Sequence, residues 1–333
     1  MTQPSKKRIL YIDYLKGLTI LWVVWYHTAH PDFVNFSFRI PLFFFVSGIF
    51  FKPYPFKQFL RKKINTLLVP FVLFYAIYYI YYIMLWVSSG RQLATFDFAS
   101  ILSVFGLYGG SESFVINPPL WFIFALIDLQ FLLYALVKSR LSRKWLALIA
   151  IGITLADAWW FYTVKTPFMI SRCLRYFVYY AFGYLFGRGL ISRIEGEHGR
   201  RASYLPGLMS LACFIACWFA KSITTMSPQI ETVIDYVEVF SLILFMIYFL
   251  KYISVLPFLK FLKFYGQNSY IVLGMHEIIL TLLLITYTRF VGQPDIAVGL
   301  GMLIVTALVL WPVILLFNHL CPKLVGKREL WTE

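Results

Sequence analysis

Long apolar stretches alternate with short basic ones along almost the whole chain. A helix needs roughly 20 apolar residues to cross the hydrocarbon core of a bilayer. That length predicts spans at 10–29, 35–51, 66–87, 118–138, 145–163, 168–188, 205–221, 235–253, 268–288 and 296–319. The second is short and rests on the run from Ile40 to Phe51. Segment 93–110 is also apolar but carries Gly106, Gly109 and Gly110, and reads as a surface or re-entrant element. The pattern therefore predicts an all-α, polytopic membrane bundle of about ten transmembrane helices, forming one domain over 1–333 with no separate soluble domain.

The basic residues test that count. Taking alternate loops and both tails together gives Lys6-Lys7-Arg8, Lys52 to Lys63, Lys138 to Lys144, Arg188 to Arg201, Lys251 to Lys263, and Lys323 to Arg328. The opposite loops hold only Arg91, Lys165, Lys221 and Arg289, with Arg39, Arg172 and Arg175 at span ends. Cytoplasmic loops carry the excess of Lys and Arg, so ten crossings with both termini in the cytoplasm are expected. A further span at 93–110 would invert every later loop.

Composition agrees: the 333 residues are 60% hydrophobic and 20% aromatic, more apolar side chain than a soluble domain could cover. The net charge of +15 is read as attraction to anionic lipid and not to nucleic acid. Cys173, Cys213, Cys217 and Cys321 form no CxxC pair and read as packing residues. The first apolar run continues into a patterned helix without a small-residue cleavage site, unlike a secretory signal. No Walker loop, GxSxG elbow or HExxH motif supports ATP-driven or zinc chemistry.

Polar residues inside membrane helices are costly and are functional candidates. The first span, YIDYLKGLTILWVVWYH, carries Asp13, Lys16, Tyr26 and His27. At 1.5 Å per residue, Asp13 and His27 stand about 21 Å apart along a regular helix. Asp13 and Lys16 therefore belong to the inner end, either as a local ion pair or as orienting groups. His27 belongs to the outer half, either as a proton acceptor or as a packing histidine; His30 is a weaker second candidate. His276 and Glu277 are adjacent in the ninth span, and Glu277 serves either a site or a structural pair with an arginine such as Arg175. Arg39, Arg172 and Arg175 gather near outer ends and suit oxygen-rich ligands, or snorkel to headgroups. Arg61, Lys62 and Lys63 could receive a phosphate-bearing ligand or meet anionic lipid. Asp128 and Asp157 lie inside spans four and five and keep a transport path open. The loop 88–117 could cap a cavity.

Several of these pieces, in order, resemble the integral-membrane acyltransferase-3 family. RILYIDYLKGLTILWVVWYH resembles its first helix, IPLFFFVSGIFF its second, and FLRKKINTLLVPF its basic run before a proline. PLWFIFAL, RCLRYFVYYAFGYLFG and NSYIVLGMHEII complete the order. The resemblance spans nearly the whole chain. It departs at Leu67, where the family often has arginine. It also lacks the extracytoplasmic esterase-like domain that many members append, so a standalone membrane form is expected.

The resemblance implies an acyltransferase of the cytoplasmic membrane that moves an acyl group, acetyl by preference, from acyl-CoA to a hydroxyl of a cell-surface or lipid-linked glycan. His27 would be the essential histidine, with His276 and Glu277 beside the chemistry. Arg61, Lys62, Lys63 and Lys16 would bind the CoA donor. Arg39, Arg172, Arg175 and Trp121 would bind the acceptor, and Asp13 would orient. Partners would be acyl-CoA, the glycan and membrane lipid; no metal and no permanently bound cofactor is expected, acetyl-CoA entering as donor substrate. The competing expectation is an exporter of a polysaccharide or lipid-linked sugar.

Overall fold

The computed structural model describes residues 9–28, 38–105, 116–161, 166, 170–196, 204–328 and 330. These are mostly helical, and no strand occurs among them. The elements are α1 (Leu10–Tyr26), α2 (Arg39–Ile49), α3 (Phe56–Lys63), α4 (Val69–Ser88), α5 (Trp121–Lys138), α6 (Arg143–Ala156), α7 (Ile170–Glu195), α8 (Tyr204–Ile223), α9 (Pro228–Ile253), α10 (Lys260–Gln267), α11 (Ser269–Phe290) and α12 (Ile296–Leu320).

A helix stands at each of the ten expected places, but six described segments are long and apolar enough to cross a membrane: Phe56–Ser88, Pro118–Lys138, Tyr204–Ile223, Pro228–Ile253, Ser269–Phe290 and Ile296–Leu320. The expected count of ten therefore rests on weaker segments. With 17 residues, α1 spans about 25 Å; α2, with 11, is shorter still. The 26-residue α7 carries Arg175, Arg188 and Arg193. Segment 93–110 is no crossing where it is described: Leu93–Thr95 and Phe98–Phe105 are short 3-10 turns. They lie along α4, where the Tyr75 hydroxyl donates to the Ile101 carbonyl and Tyr79 to that of Phe98.

The helix α1 is the hub, packing against α2, α9, α10, α11 and α12. Two crossings are close enough to need glycine on both sides. Gly17 of α1 faces the Leu262 carbonyl of α10, and Gly266 faces that of Asp13. Likewise Gly48 of α2 meets the Tyr180 carbonyl of α7, and Gly183 meets that of Phe45. A Cβ at any of the four would collide with backbone, which helices packed through small residues avoid. Elsewhere the outer surface is apolar: Leu205, Leu208, Met209, Trp218 and Phe219 of α8 are exposed, as suits a face turned to lipid.

Two π-helical turns interrupt the bundle, at Ile64–Leu68 between α3 and α4 and at Asp157–Phe161 after α6. Such turns are rare and often mark functional sites. At the first, the Tyr270 hydroxyl of α11 donates to the Leu67 carbonyl across 2.7 Å.

Candidate active site

His27 is the C-cap of α1, where the helix stops. Thr28, buried, donates its hydroxyl to the Trp25 carbonyl and closes that end. The cap sets the imidazole against α11. Its Nδ1 lies 3.6 Å from Oε2 of Glu277, and its ring meets that of His276 edge-on with centroids 5.3 Å apart. His276 is fully buried. Its Nδ1 lies 2.9 Å from the Val272 carbonyl and 3.1 Å from that of Leu273. A carbonyl only accepts, so Nδ1 carries the proton and Nε2 presents a lone pair. That Nε2 stands 3.9 Å from the same Glu277 oxygen.

Neither His276 Nε2 nor Glu277 Oε2 has a hydrogen-bond partner among the described residues. Buried polar atoms are rarely left so. Two acceptors facing an imidazole suit a ligand that brings a donor, such as a hydroxyl. The ligand atoms of His27, His276 and Glu277 lie within 4.8 Å of one another. Two histidines and a glutamate are also a zinc donor set, but a tetrahedral shell would need them closer, about 3.3 Å apart.

Around this cluster, the Arg39 guanidinium lies 3.9 Å over the ring of Tyr26, which meets His27 edge-on. Asn117, buried and in the left-handed conformation, donates Nδ2 to the Gly274 carbonyl, two residues before His276. It opens the turn into α5 and pins that turn to α11.

Below the cluster a narrow cavity of about 120 Å³ runs between α1, α2, α5 and α11. Lys16 and Ser269 line it at one end, Val23 and Leu273 at the other. Val23 is one turn before His27, and Leu273 one turn before His276. Lys16 reaches over the Phe50 ring, 5.4 Å from its centroid. Phe50 lines a second cavity, of about 380 Å³, with Lys52, Tyr54, Lys62, Lys63 and Arg188. This is the most basic pocket described. Arg188 also donates to the Ile49 and Phe51 carbonyls and so ends α2.

The expected residues separate accordingly. His27, His276 and Glu277 come together. Lys62 and Lys63 line the basic cavity, and Lys16 bridges from it to the narrow one; Arg61 does not line it. Lys52 and Arg188 do, and neither was singled out from sequence, although both stand in the basic loops already noted. Asp13 accepts from Gln267 of α10 at 2.8 Å. Arg175 pairs with buried Asp157 at 3.4 Å, so the suggested Arg175–Glu277 pair is replaced by Glu277 beside two histidines. Trp121 lies against Tyr176 with centroids 6.0 Å apart. His30 and the Arg172 side chain lie outside what is described.

A family model described as an acyltransferase domain matches residues 9–317. No curated protein and no solved structure matches the chain.

Proposed function

Since the chain belongs to the acyltransferase-3 family, a group of membrane acyltransferases, we propose that it transfers an acyl group from acyl-CoA to a hydroxyl of a glycan. The donor's phosphates sit in the basic cavity of Lys52, Lys62, Lys63 and Arg188, where cations suit a multiply anionic nucleotide. The aromatic Tyr54 in the same wall suits its base. From there the pantetheine arm passes Lys16 into the narrow cavity and carries the thioester toward His27. The observation that carries this reading is that Lys16 of α1 lines a small cavity and reaches Phe50 of the basic pocket, while the same helix ends at the histidine–carboxylate cluster.

In the proposed step Glu277 closes from 3.6 Å onto the Nδ1–H of His27, which leaves Nε2 as the base. Nε2 takes the proton of the acceptor hydroxyl as its oxygen attacks the thioester carbonyl. The C–O bond forms, the C–S bond breaks, and the thiolate leaves with the proton that His27 returns. His276 accepts a hydrogen bond at the same spot and orients the acceptor hydroxyl. Acyl-CoA and the glycan approach from opposite ends of α1, with the basic end cytoplasmic by the distribution of Lys and Arg.

The test uses the reconstituted protein with radiolabelled acetyl-CoA and a cell-envelope glycan extract. His27→Ala is expected to lower label transfer by ~10²–10⁴-fold, the size of a general-base contribution. Transfer at the wild-type rate in that variant rejects the assignment. Movement of glycan across the bilayer without any acyl-CoA requirement would favour export instead.

A further inference from the structure

On the side of the bundle away from the basic cavity lies a third, wider cavity, about 700 Å³, between the π turn after α6, the start of α7 and the first turns of α9. Its walls combine ring faces with planar hydrogen-bonding groups. Trp159, Tyr176 and Tyr236 supply rings, and Arg175, Asp235 and Thr232 supply polar edges. On α9 the residues Gln229, Thr232, Asp235, Tyr236 and Val239 fall at helical spacing, so one face of that helix forms the wall.

Each cation there faces a carboxylate. Arg175, 40% exposed, faces buried Asp157 across 3.4 Å. Asp235, 53% exposed, accepts from Lys221 at 2.8 Å, and the same lysine pairs with Glu238. The Tyr236 hydroxyl donates to the Arg175 carbonyl and ties α9 to α7. A cavity with no surplus of positive charge offers no net attraction to a phosphate, and its polar edges disfavour a lipid tail. Rings beside guanidinium, carboxylate and hydroxyl groups suit a ligand with an apolar face and a rim of hydroxyls. A neutral pyranose has that form: axial C–H bonds on one face, hydroxyls around the edge.

The cavity also leads toward the chemistry. Pro41 lines it, two residues along α2 from the Arg39 that covers Tyr26 beside His27. Tyr176 joins it to Trp121, with ring centroids 6.0 Å apart. We infer that this cavity is a binding site for neutral pyranose sugar, holding a residue of the acceptor glycan remote from the hydroxyl that is acylated. Its part as an acceptor subsite rests on the transfer reading above; its affinity for sugar does not. Trp159 and Tyr236 clasp the ring, and Arg175 and Asp235 read its hydroxyls.

The full chain in detergent, without acyl donor, is mixed with maltose, cellobiose and lactose, and saturation transfer from protein to sugar is recorded by NMR. The expected result is saturation of ring C–H protons by at least one disaccharide, with Kd raised about tenfold in Trp159→Ala, the scale of one lost ring contact. Thr232→Leu, which fills the cavity from a half-buried position on α9, should do the same without removing a packed ring. His27→Ala should leave saturation unchanged. Binding that survives both cavity variants, or no saturation by any of the three sugars, overturns the inference, as does competition by short-chain phospholipid alone. If sugar binds as expected while no acyl transfer is found, the sugar site stands and the transfer reading falls. In an active preparation, Trp159→Ala should raise the oligosaccharide KM about tenfold and move kcat by less than about twofold, the mark of lost uniform binding.

Discussion

At the scale of residues, the account turns on three side chains from two helices remote in sequence. His27 caps α1, and His276 and Glu277 sit side by side on α11. Adjacent helical residues point about 100° apart, yet both reach the same imidazole because His27 lies between their directions. Glu277→Gln keeps the shape and removes the charge that, in the proposed mechanism, fixes the His27 tautomer. We expect kcat to fall about 10²–10⁴-fold with the acyl-CoA KM unchanged, as when the orienting carboxylate of a histidine base is lost; steady-state kinetics checks it, and a pure KM effect would be contrary. Treatment with a strong chelator should leave transfer intact, since the proposed step needs an imidazole lone pair and no Lewis acid. Loss of activity restored by added zinc would turn the cluster into a metal site. His27 was legible in the sequence because a polar residue in an apolar run stands out. Its partnership with Glu277 was not: periodicity shows which residues are polar, not which helices become neighbours, and Arg175 was as good a partner until Asp157 was found beside it.

At the scale of elements, the helices that shape the path are held by reciprocal glycines. Gly48→Ala and Gly17→Ala each force a Cβ against a backbone carbonyl. Overpacking of this kind costs roughly 1–3 kcal/mol, so both variants should unfold at lower temperature in detergent. Gly152→Ala, in open space on α6, should hold or slightly raise the midpoint; equal behaviour of all three would refute the close crossings. The positions of the helices were readable from hydropathy, but their lengths less so. In α1 the helix stops at His27 because the chain caps there, and α2 begins only at Arg39. The π turns left no mark in the periodicity. The basic loop did, although which of its cations share a pocket depends on how α3 and α7 meet. On that geometry Lys62→Ala with Lys63→Ala should raise the acyl-CoA KM, and more so at low salt where charge is least screened. Arg61→Ala, outside the pocket, should raise it less, and isothermal titration with CoA separates the two.

At the scale of the whole molecule, the proposed reaction takes α1 as its axis. Its Lys16 end adjoins the basic cavity through Phe50; its His27 end adjoins α11 and, through Arg39 and Tyr26, the aromatic cavity on the other side. An all-α bundle with several helices of membrane length was evident from the hydropathy pattern. The basic and aromatic cavities were not, because each is walled by side chains from segments remote in sequence. The proposed reaction brings donor and acceptor to His27 from opposite faces of the membrane. The direct test is a proteoliposome of fixed orientation with the glycan acceptor sealed on one face and labelled acetyl-CoA supplied only on the face bearing Lys62 and Lys63. The account predicts labelled glycan inside the sealed compartment, absent with His27→Ala. Label appearing only when acetyl-CoA and glycan are placed on the same face would contradict it.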